Sequence, residues 1–417
     1  MQGYPEEGGV FEPSDGSTRA KEHVAAIEAA QATDAAQATD ATLVNGKRPL
    51  PVPASKQAAS LQQQDDEDVR RDVVYGALDL GTNNCRLLLA KPSRRGFRVV
   101  DAFSRIIRLG EGVGQTGRLS EAAMARTHDA LKVCAAKLKR ARVHRSRLVA
   151  TEACRMAENG PEFLERVRER LGLDIEILTP QIEAGLAVSG SAALIDTSCD
   201  YVLVFDIGGG SSELILLDLS RRSRRGDRRF AARIDAQNCM VAWTSLPVGV
   251  VTLAERFGGK HVTSDVFEAM VAETQRMLEP FEFQHGLTQR LAGARLHMLG
   301  TSGTVTTVAG VHLGLPRYDR NRVDGCWLNL KDVRTVTYDL LARTYEQRMA
   351  EPCIGRDRAD LVLAGCAILE AVLRLWPCER LRVADRGLRE GILTTLMSED
   401  GVLRNGRRRR SGRRRES

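Results

Sequence analysis

The sequence predicts an internally duplicated α/β protein with a cleft between its two halves. One device occurs twice: an apolar strand that ends in Asp and runs straight into a Gly-rich turn. It is Val74-Tyr75-Gly76-Ala77-Leu78-Asp79-Leu80-Gly81-Thr82-Asn83-Asn84 in the first half and Tyr201-Val202-Leu203-Val204-Phe205-Asp206-Ile207-Gly208-Gly209-Gly210-Ser211-Ser212 in the second. After each copy comes another apolar strand and then helical stretches, so each half opens as a sheet and closes with helices.

Taken in order, residues 1–69 are rich in Ala, Gln, Asp, Gly and Pro, and the hexad Ala29-Ala30-Gln31-Ala32-Thr33-Asp34 repeats at once over 35–40. Such a composition cannot bury enough apolar surface to fold, and predicts a disordered leader. The first domain is expected over 70–199. Strands at 73–80, 85–90 and 97–107 precede a helix at 120–140. A short apolar segment at 147–150 feeds Thr151-Glu152-Ala153-Cys154-Arg155, and Pro161 opens a helix over 161–170. A strand at 174–178 and a helix at 183–194 complete this half. The second domain, 200–400, has strands at 201–206 and 213–218, a helix at 264–281, a strand at 295–299, and helices at 359–375 and 388–397. Residues 401–417 read as a disordered Arg-rich tail.

Composition narrows the function classes. At 417 residues with 43% hydrophobic content, the chain is long enough for two cores. The net charge of +7 resembles a nucleic-acid signal until it is located: residues 401–417 hold eight Arg and one Glu, which account for it alone. That tail is expected to make at most weak contact with a polyanion or RNA. A second run, Arg221 to Arg229, has six Arg and one Asp. The nine cysteines are odd in number and lack C-x-x-C spacing, which argues against a zinc site or disulfide framework and fits reduced thiols in a cytoplasmic protein. The most apolar stretch, 361–376, is interrupted by Glu370 and Arg374, so no membrane span is expected.

The turns carry the chemistry. Gly, Ser, Thr and Asn let successive backbone N–H groups converge on one anion, because nothing bulky stands between them and a phosphate oxygen. Gly81, Thr82, Asn83 and Asn84 are the candidates in the first turn, and Gly208, Gly209, Gly210, Ser211 and Ser212 in the second. Asp79 and Asp206, at the strand ends, are placed to hold a divalent cation against the same phosphates. Asp206 closes one strand and Glu213 opens the next, so a hairpin brings both towards one pocket. A third turn, Gly300-Thr301-Ser302-Gly303, follows an apolar strand and reads both as a capped strand-to-helix turn and as a phosphate wall. Two facing phosphate clamps point to phosphoryl chemistry.

Six ordered stretches, ALDLGTNNCRLLLA, VATEACRMAENG, ILTPQIEAGLA, LVFDIGGGSSELIL, MLGTSGTVTTVAG and VADRGLREGIL, resemble the exopolyphosphatase and guanosine pentaphosphate phosphohydrolase (Ppx/GppA) family in its short two-domain form. That family lies within the actin, Hsp70 and sugar-kinase fold, whose domains are ribonuclease H-like. The resemblance implies hydrolysis of a terminal phosphoanhydride with Mg2+ and water, without a covalent intermediate, and leaves open whether a monovalent cation joins in. Glu183 matches the family's general base; taken alone it is a helix N-terminal carboxylate favoured by the dipole. The family usually has Glu-Glu-Ala-Arg there, and Ile182 and Gly185 replace its first Glu and its Arg. Asp206 and Glu213 match metal-associated acids, with Asp79 as the third. Arg155 matches a phosphate contact, and the turn Gly300 to Gly303 matches a wall of the phosphate cleft. Asp385-Arg386-Gly387 matches the closing motif, with Arg386 near the cleft. The implied substrate is inorganic polyphosphate or guanosine pentaphosphate, the implied assembly a homodimer, and the reading from another class a non-hydrolytic polyphosphate or alarmone sensor.

Overall fold

A computed structural model describes residues 72–93, 96–222 and 236–403. The leader, most of the Arg221 to Arg229 run and the Arg-rich tail beyond 403 lie outside the described residues. Two sheets organise the rest. The first has the order β3-β2-β1-β4-β5, from β1 (Tyr75–Leu80), β2 (Asn84–Ser93), β3 (Gly96–Ile106), β4 (Arg145–Ala150) and β5 (Glu176–Ile177). β2 runs antiparallel to β1 and β3, while β4 is parallel to β1 and β5 to β4.

The second sheet repeats the plan. Its strands are β6 (Tyr201–Ile207), β7 (Ser212–Asp218), β8 (Met240–Leu246), β9 (Leu296–Gly300), β10 (Trp327–Leu328) and β11 (Leu381–Val383). The order β8-β7-β6-β9-β11 matches that of the first sheet, with β7 antiparallel to its neighbours, β9 parallel to β6, β11 parallel to β9, and β10 added at the far edge. The duplicated actin-like α/β architecture is therefore visible in strand order itself. Residues Val202 to Phe205 of β6 are all at most 1% exposed, the continuous apolar run of a strand covered on both faces. β3 sits at an edge, and its Arg98, Asp101 and Arg105 keep that edge charged.

Helices cover the sheets: α1 (Glu121–Arg140), α2 (Glu152–Met156), α3 (Gly160–Leu171) and α4 (Pro180–Ser191) in the first half, then α5 (Val250–Phe257), α6 (Ser264–His285), α7 (Gly303–His312), α8 (Leu330–Ala342), α9 (Val362–Leu375) and α10 (Leu388–Glu399). No helix among the described residues is long and apolar enough to cross a membrane. The expected end of the helix at 281 gives way to His285, with Pro280 inside the helix. Tertiary packing overrides the proline: Phe281 is buried and sets its ring edge-on to His285 and Trp376.

One pair of helices positions the site. Leu186 of α4 joins Tyr75, Leu88, Ile392 and Leu396 in a core on the first sheet, while Ala184 and Val188 of the same helix pack with Val202, Val204 and Ile215 of the second. α4 therefore contacts both sheets. α10 crosses it closely enough that a methyl group on Gly190 would lie 1.9 Å from the Gly387 carbonyl oxygen. The division at residue 200 assigns residues 388–400 to the second half by sequence position. In space α10 lies on the first sheet, because Ile392, Leu393, Leu396 and Met397 find their apolar partners there.

Candidate active site

The two Gly-rich turns leave β1 and β6 and meet. A methyl group on Gly209 would lie 2.9 Å from Thr82 Cβ and 3.2 Å from the Asn83 nitrogen, so only hydrogen fits at that point. Each turn closes on itself by the same bond: the Gly81 N–H donates to the Asn84 carbonyl at 2.9 Å, and the Gly208 N–H to the Ser211 carbonyl at 2.9 Å. With those donors spent inside the turns, donation to an anion falls to the N–H groups further round. Thr82, Asn83, Asn84, Gly209, Gly210 and Ser211 all line the cleft, as do Thr301, Ser302 and Gly303 at the start of α7. Asn83 Oδ1 is buried without a protein donor.

Ser212 and Gly300, expected at the phosphates, are not in the cleft wall. Ser212 begins β7 and its hydroxyl donates to the Val248 carbonyl at 2.7 Å, while Gly300 ends β9 and pairs with both Phe205 and Val383. Strand pairing has absorbed both.

Acidic side chains gather in the same space. Asp206 and Glu213 are direct cross-strand partners, so their side chains share one face of the hairpin. Glu183 enters from the first turn of α4. That helix starts earlier than the expected residue 183, because Thr179 caps it by accepting from the Ile182 N–H and Pro180 takes the first helical position. Asp79, Glu152, Glu183, Asp206 and Glu213 all line the cleft. Burial, and next the charge of Glu213, push Glu183 well above the ordinary carboxylate range, with Arg155 pulling against them. Burial and Glu213 likewise push Asp206 up to about 7. Asp79 and Glu213 are raised by burial too, the latter restrained by the hydroxyls of Ser211 and Ser245, which donate to Glu213 Oε1 at 2.7 and 2.8 Å.

Crowded, buried carboxylates with an oxygen-only donor set suit a hard divalent cation. Among the described residues no three Asp, Glu, His or Cys side chains gather as a cage.

Arg155 differs from its expected place. It donates through Nη1 to Glu183 Oε2 at 3.2 Å and to the Leu178 carbonyl at 2.6 Å, and through Nε and Nη2 to Glu152. With its donors committed, it braces the two carboxylates and does not line the cleft. Arg386 does line the cleft but is paired with Asp324. The sequence reading missed three other cleft arginines, Arg86, Arg358 and Arg389. A signal for Arg86 was present: it is the cross-strand partner of Asp79, as Glu213 is of Asp206, seven residues on in each copy. Glu390, beside Arg389, would be raised by burial, but Arg389, the Gly387 N–H and Arg320 outweigh it and hold it low.

Known proteins resemble this chain over most of its length. The model of the Ppx/GppA phosphatase family matches residues 89–400, well over half of the chain. Exopolyphosphatase 2 of Mycobacterium tuberculosis is 29% identical over 334 residues, covering 77% of this chain and 97% of that protein. Guanosine-5'-triphosphate,3'-diphosphate pyrophosphatase of Photobacterium profundum is 28% identical over 338 residues, 78% of this chain but only 60% of that protein. The crystal structure of the Aquifex aeolicus member of the Ppx/GppA family superposes with a TM-score of 0.61 at 27% identity, over 79% of this chain and 98% of that one.

Proposed function

The chain belongs to the Ppx/GppA phosphatase family, and on that premise we propose that it is an exopolyphosphatase, removing the terminal phosphoryl group of inorganic polyphosphate by attack of water. The observation that carries the reading is the meeting of two phosphate turns with Glu183 in one cleft. The similarity to the tuberculosis exopolyphosphatase over nearly all of that protein's length supports the choice of substrate.

Glu183 is the general base. Arg155 fixes its Oε2, leaving Oε1 to orient the attacking water and take its proton. The new bond joins that water's oxygen to the terminal phosphorus; the bond to the bridging oxygen breaks, releasing orthophosphate and a chain one phosphate shorter. Phosphoryl transfer spreads charge over the equatorial oxygens, so catalysis is mostly alignment and charge stabilisation. Backbone N–H groups of the two turns and the cleft arginines Arg86, Arg358 and Arg389 supply both. Asp206 and Glu213, cross-strand partners at one wall of the cleft, are the residues that would hold Mg2+, which when bound would neutralise phosphate oxygens. Burial matters twice here, since it raises the proton affinity of Glu183 and strengthens every charge interaction in the cleft.

A second reading, removal of the 5' terminal phosphate from guanosine pentaphosphate, is favoured by the similarity to the Photobacterium protein. The same residues would serve, with a different leaving group. Orthophosphate release with Mg2+ from long polyphosphate and from guanosine pentaphosphate, measured in parallel with Glu183→Gln as control, tests both. Release from polyphosphate that the variant loses supports the first reading; preference for the nucleotide supports the second. Tight binding without release from either points to a sensor.

A further inference from the structure

The segment that follows β3 joins the first phosphate turn to the far side of the cleft. The N–H groups of Ile107 and Arg108 both donate to the Asn83 carbonyl, at 2.9 and 3.1 Å, and the Gly110 N–H donates to the Thr82 carbonyl at 2.9 Å. Residues 107–110 are thereby tied to the turn that faces the phosphate. The Arg108 side chain then reaches into the second half and grips Asp360 with both ends of its fork, Nη1 to Oδ2 at 2.9 Å and Nη2 to Oδ1 at 3.1 Å, with a further bond from Nη2 to the Asp357 carbonyl at 3.2 Å. Two residues before Asp360 stands Arg358, whose side chain lines the cleft.

The local backbone adds an independent observation. Arg108 has φ of 47°, a left-handed conformation that a non-glycine residue adopts at a cost, and neighbouring contacts hold it there. Arg126 donates to the carbonyls of Ile107 and Arg108 at 3.0 and 3.3 Å. On the other side, buried Arg348 donates to the Ala359 carbonyl at 3.4 Å and to the carbonyls of Arg343 and Lys260 at 2.7 Å each. The 357–360 segment is held from behind by Arg348 and from across the cleft by Arg108. Asp360 is only 17% exposed in its side chain, and a bidentate Arg–carboxylate pair at that depth fixes orientation as well as charge.

We propose that Arg108 is a positioning residue: by clamping Asp360 and Asp357 to the segment bonded to the Thr82–Asn83 turn, it sets Arg358 at the distance from that turn at which both hold one phosphate chain. The proposal rests on the phosphatase reading for the nature of the ligand, so its test separates the two.

Tripolyphosphate binding in the presence of Mg2+ is measured by calorimetry in four proteins that all carry Glu183→Gln: the parent, Arg108→Ala, Arg358→Ala and the double variant. Loss of a charge-assisted phosphate contact predicts about 10-fold weaker binding for Arg108→Ala. The double variant is expected to bind no more weakly than Arg358→Ala alone, because Arg108 acts through Arg358. In protein with Glu183 intact, Arg108→Ala is expected to raise KM for polyphosphate and to lower kcat no further than Arg358→Ala does. A purely structural role would lower the melting temperature and leave KM and the cycle additive. Should Arg108→Ala fail to fold, Asp360→Asn, which removes the partner charge and keeps the shape, replaces it in the same cycle. Binding by Arg108→Ala equal to the parent, losses that multiply in the double variant, or a parent that does not bind tripolyphosphate overturns the proposal. A wild-type protein that releases no orthophosphate, with the binding cycle as expected, overturns the catalytic reading and leaves the clamp standing.

Discussion

Replacing Gly209 with Ala tests whether the contact between the two turns governs catalysis. The added methyl carbon would stand 2.9 Å from Thr82 Cβ, 3.2 Å from the Asn83 nitrogen and 3.3 Å from Asn83 Cβ. Carbon atoms in contact prefer about 3.5–4.0 Å, so the turns must part by roughly 0.6–1.1 Å. Gly209 has no positive φ, so the backbone accepts alanine and the whole effect comes from lost space. Overpacking of this kind costs about 1–3 kcal/mol of stability. The catalytic cost is larger in proportion, since a displacement near 1 Å in an aligned site can slow turnover by about 100-fold. The assay is steady-state orthophosphate release beside urea unfolding, with Gly114→Ala as the matched control, an exposed position away from the cleft where a methyl group meets nothing within 4 Å. Retention of kcat within about 3-fold in Gly209→Ala, or an equal loss in Gly114→Ala, refutes the reasoning.

Three further outcomes are expected. Glu183 accepts a proton only when ionised, so activity should rise with pH through its raised pKa. Arg155→Gln removes a charge that holds that pKa down, and the acid limb of kcat/KM should move to higher pH; a limb that stays put or moves lower contradicts the assignment. Metal-free protein should lose stability as pH rises from about 4 to about 7, because Asp206 keeps its proton in the folded state over that window and loses it in the unfolded one. Asp206→Asn should flatten this slope and raise the Mg2+ concentration needed for half-maximal activity; urea titrations at several pH values and a Mg2+ titration check both. Deleting residues 404–417, which carry the Arg run but leave buried Leu403 in its core, should raise KM for long polyphosphate and not for tripolyphosphate. Equal KM values for full-length and shortened protein would remove the tail from substrate capture.

Much of the architecture was legible because its signals are local. A strand, an Asp and a Gly-rich turn are contiguous, so both hairpins and the shared α/β plan can be read from pattern. Arg155 was legible as a charge but not as a brace, since its partners Glu152, Glu183 and the Leu178 carbonyl come from three segments. Ser212 and Gly300 have the composition of anion-binding turns, yet ladder pairing claims them, and a composition rule cannot see a ladder. Arg358 and Arg389 reach the cleft only after α9 and α10 have folded back to it, a long-range event. The strand β8 and helix α5 went unread because they follow the Arg-rich run with only short apolar patterns. Arg86 alone was within reach, by counting seven residues from Asp79 as from Asp206.

That seventh residue has a further consequence. The two hairpins match in register, Asp79 opposite Arg86 and Asp206 opposite Glu213, but the partner is a cation in one and an anion in the other. Inorganic polyphosphate reads the same from either end, and a cleft built from two like halves would share that indifference. A substrate without head or tail acquires one only from its host. Arg86 and Glu213 both line the cleft, so its two walls carry opposite charge at matching register positions, and a ligand without head or tail would meet a different host at each end.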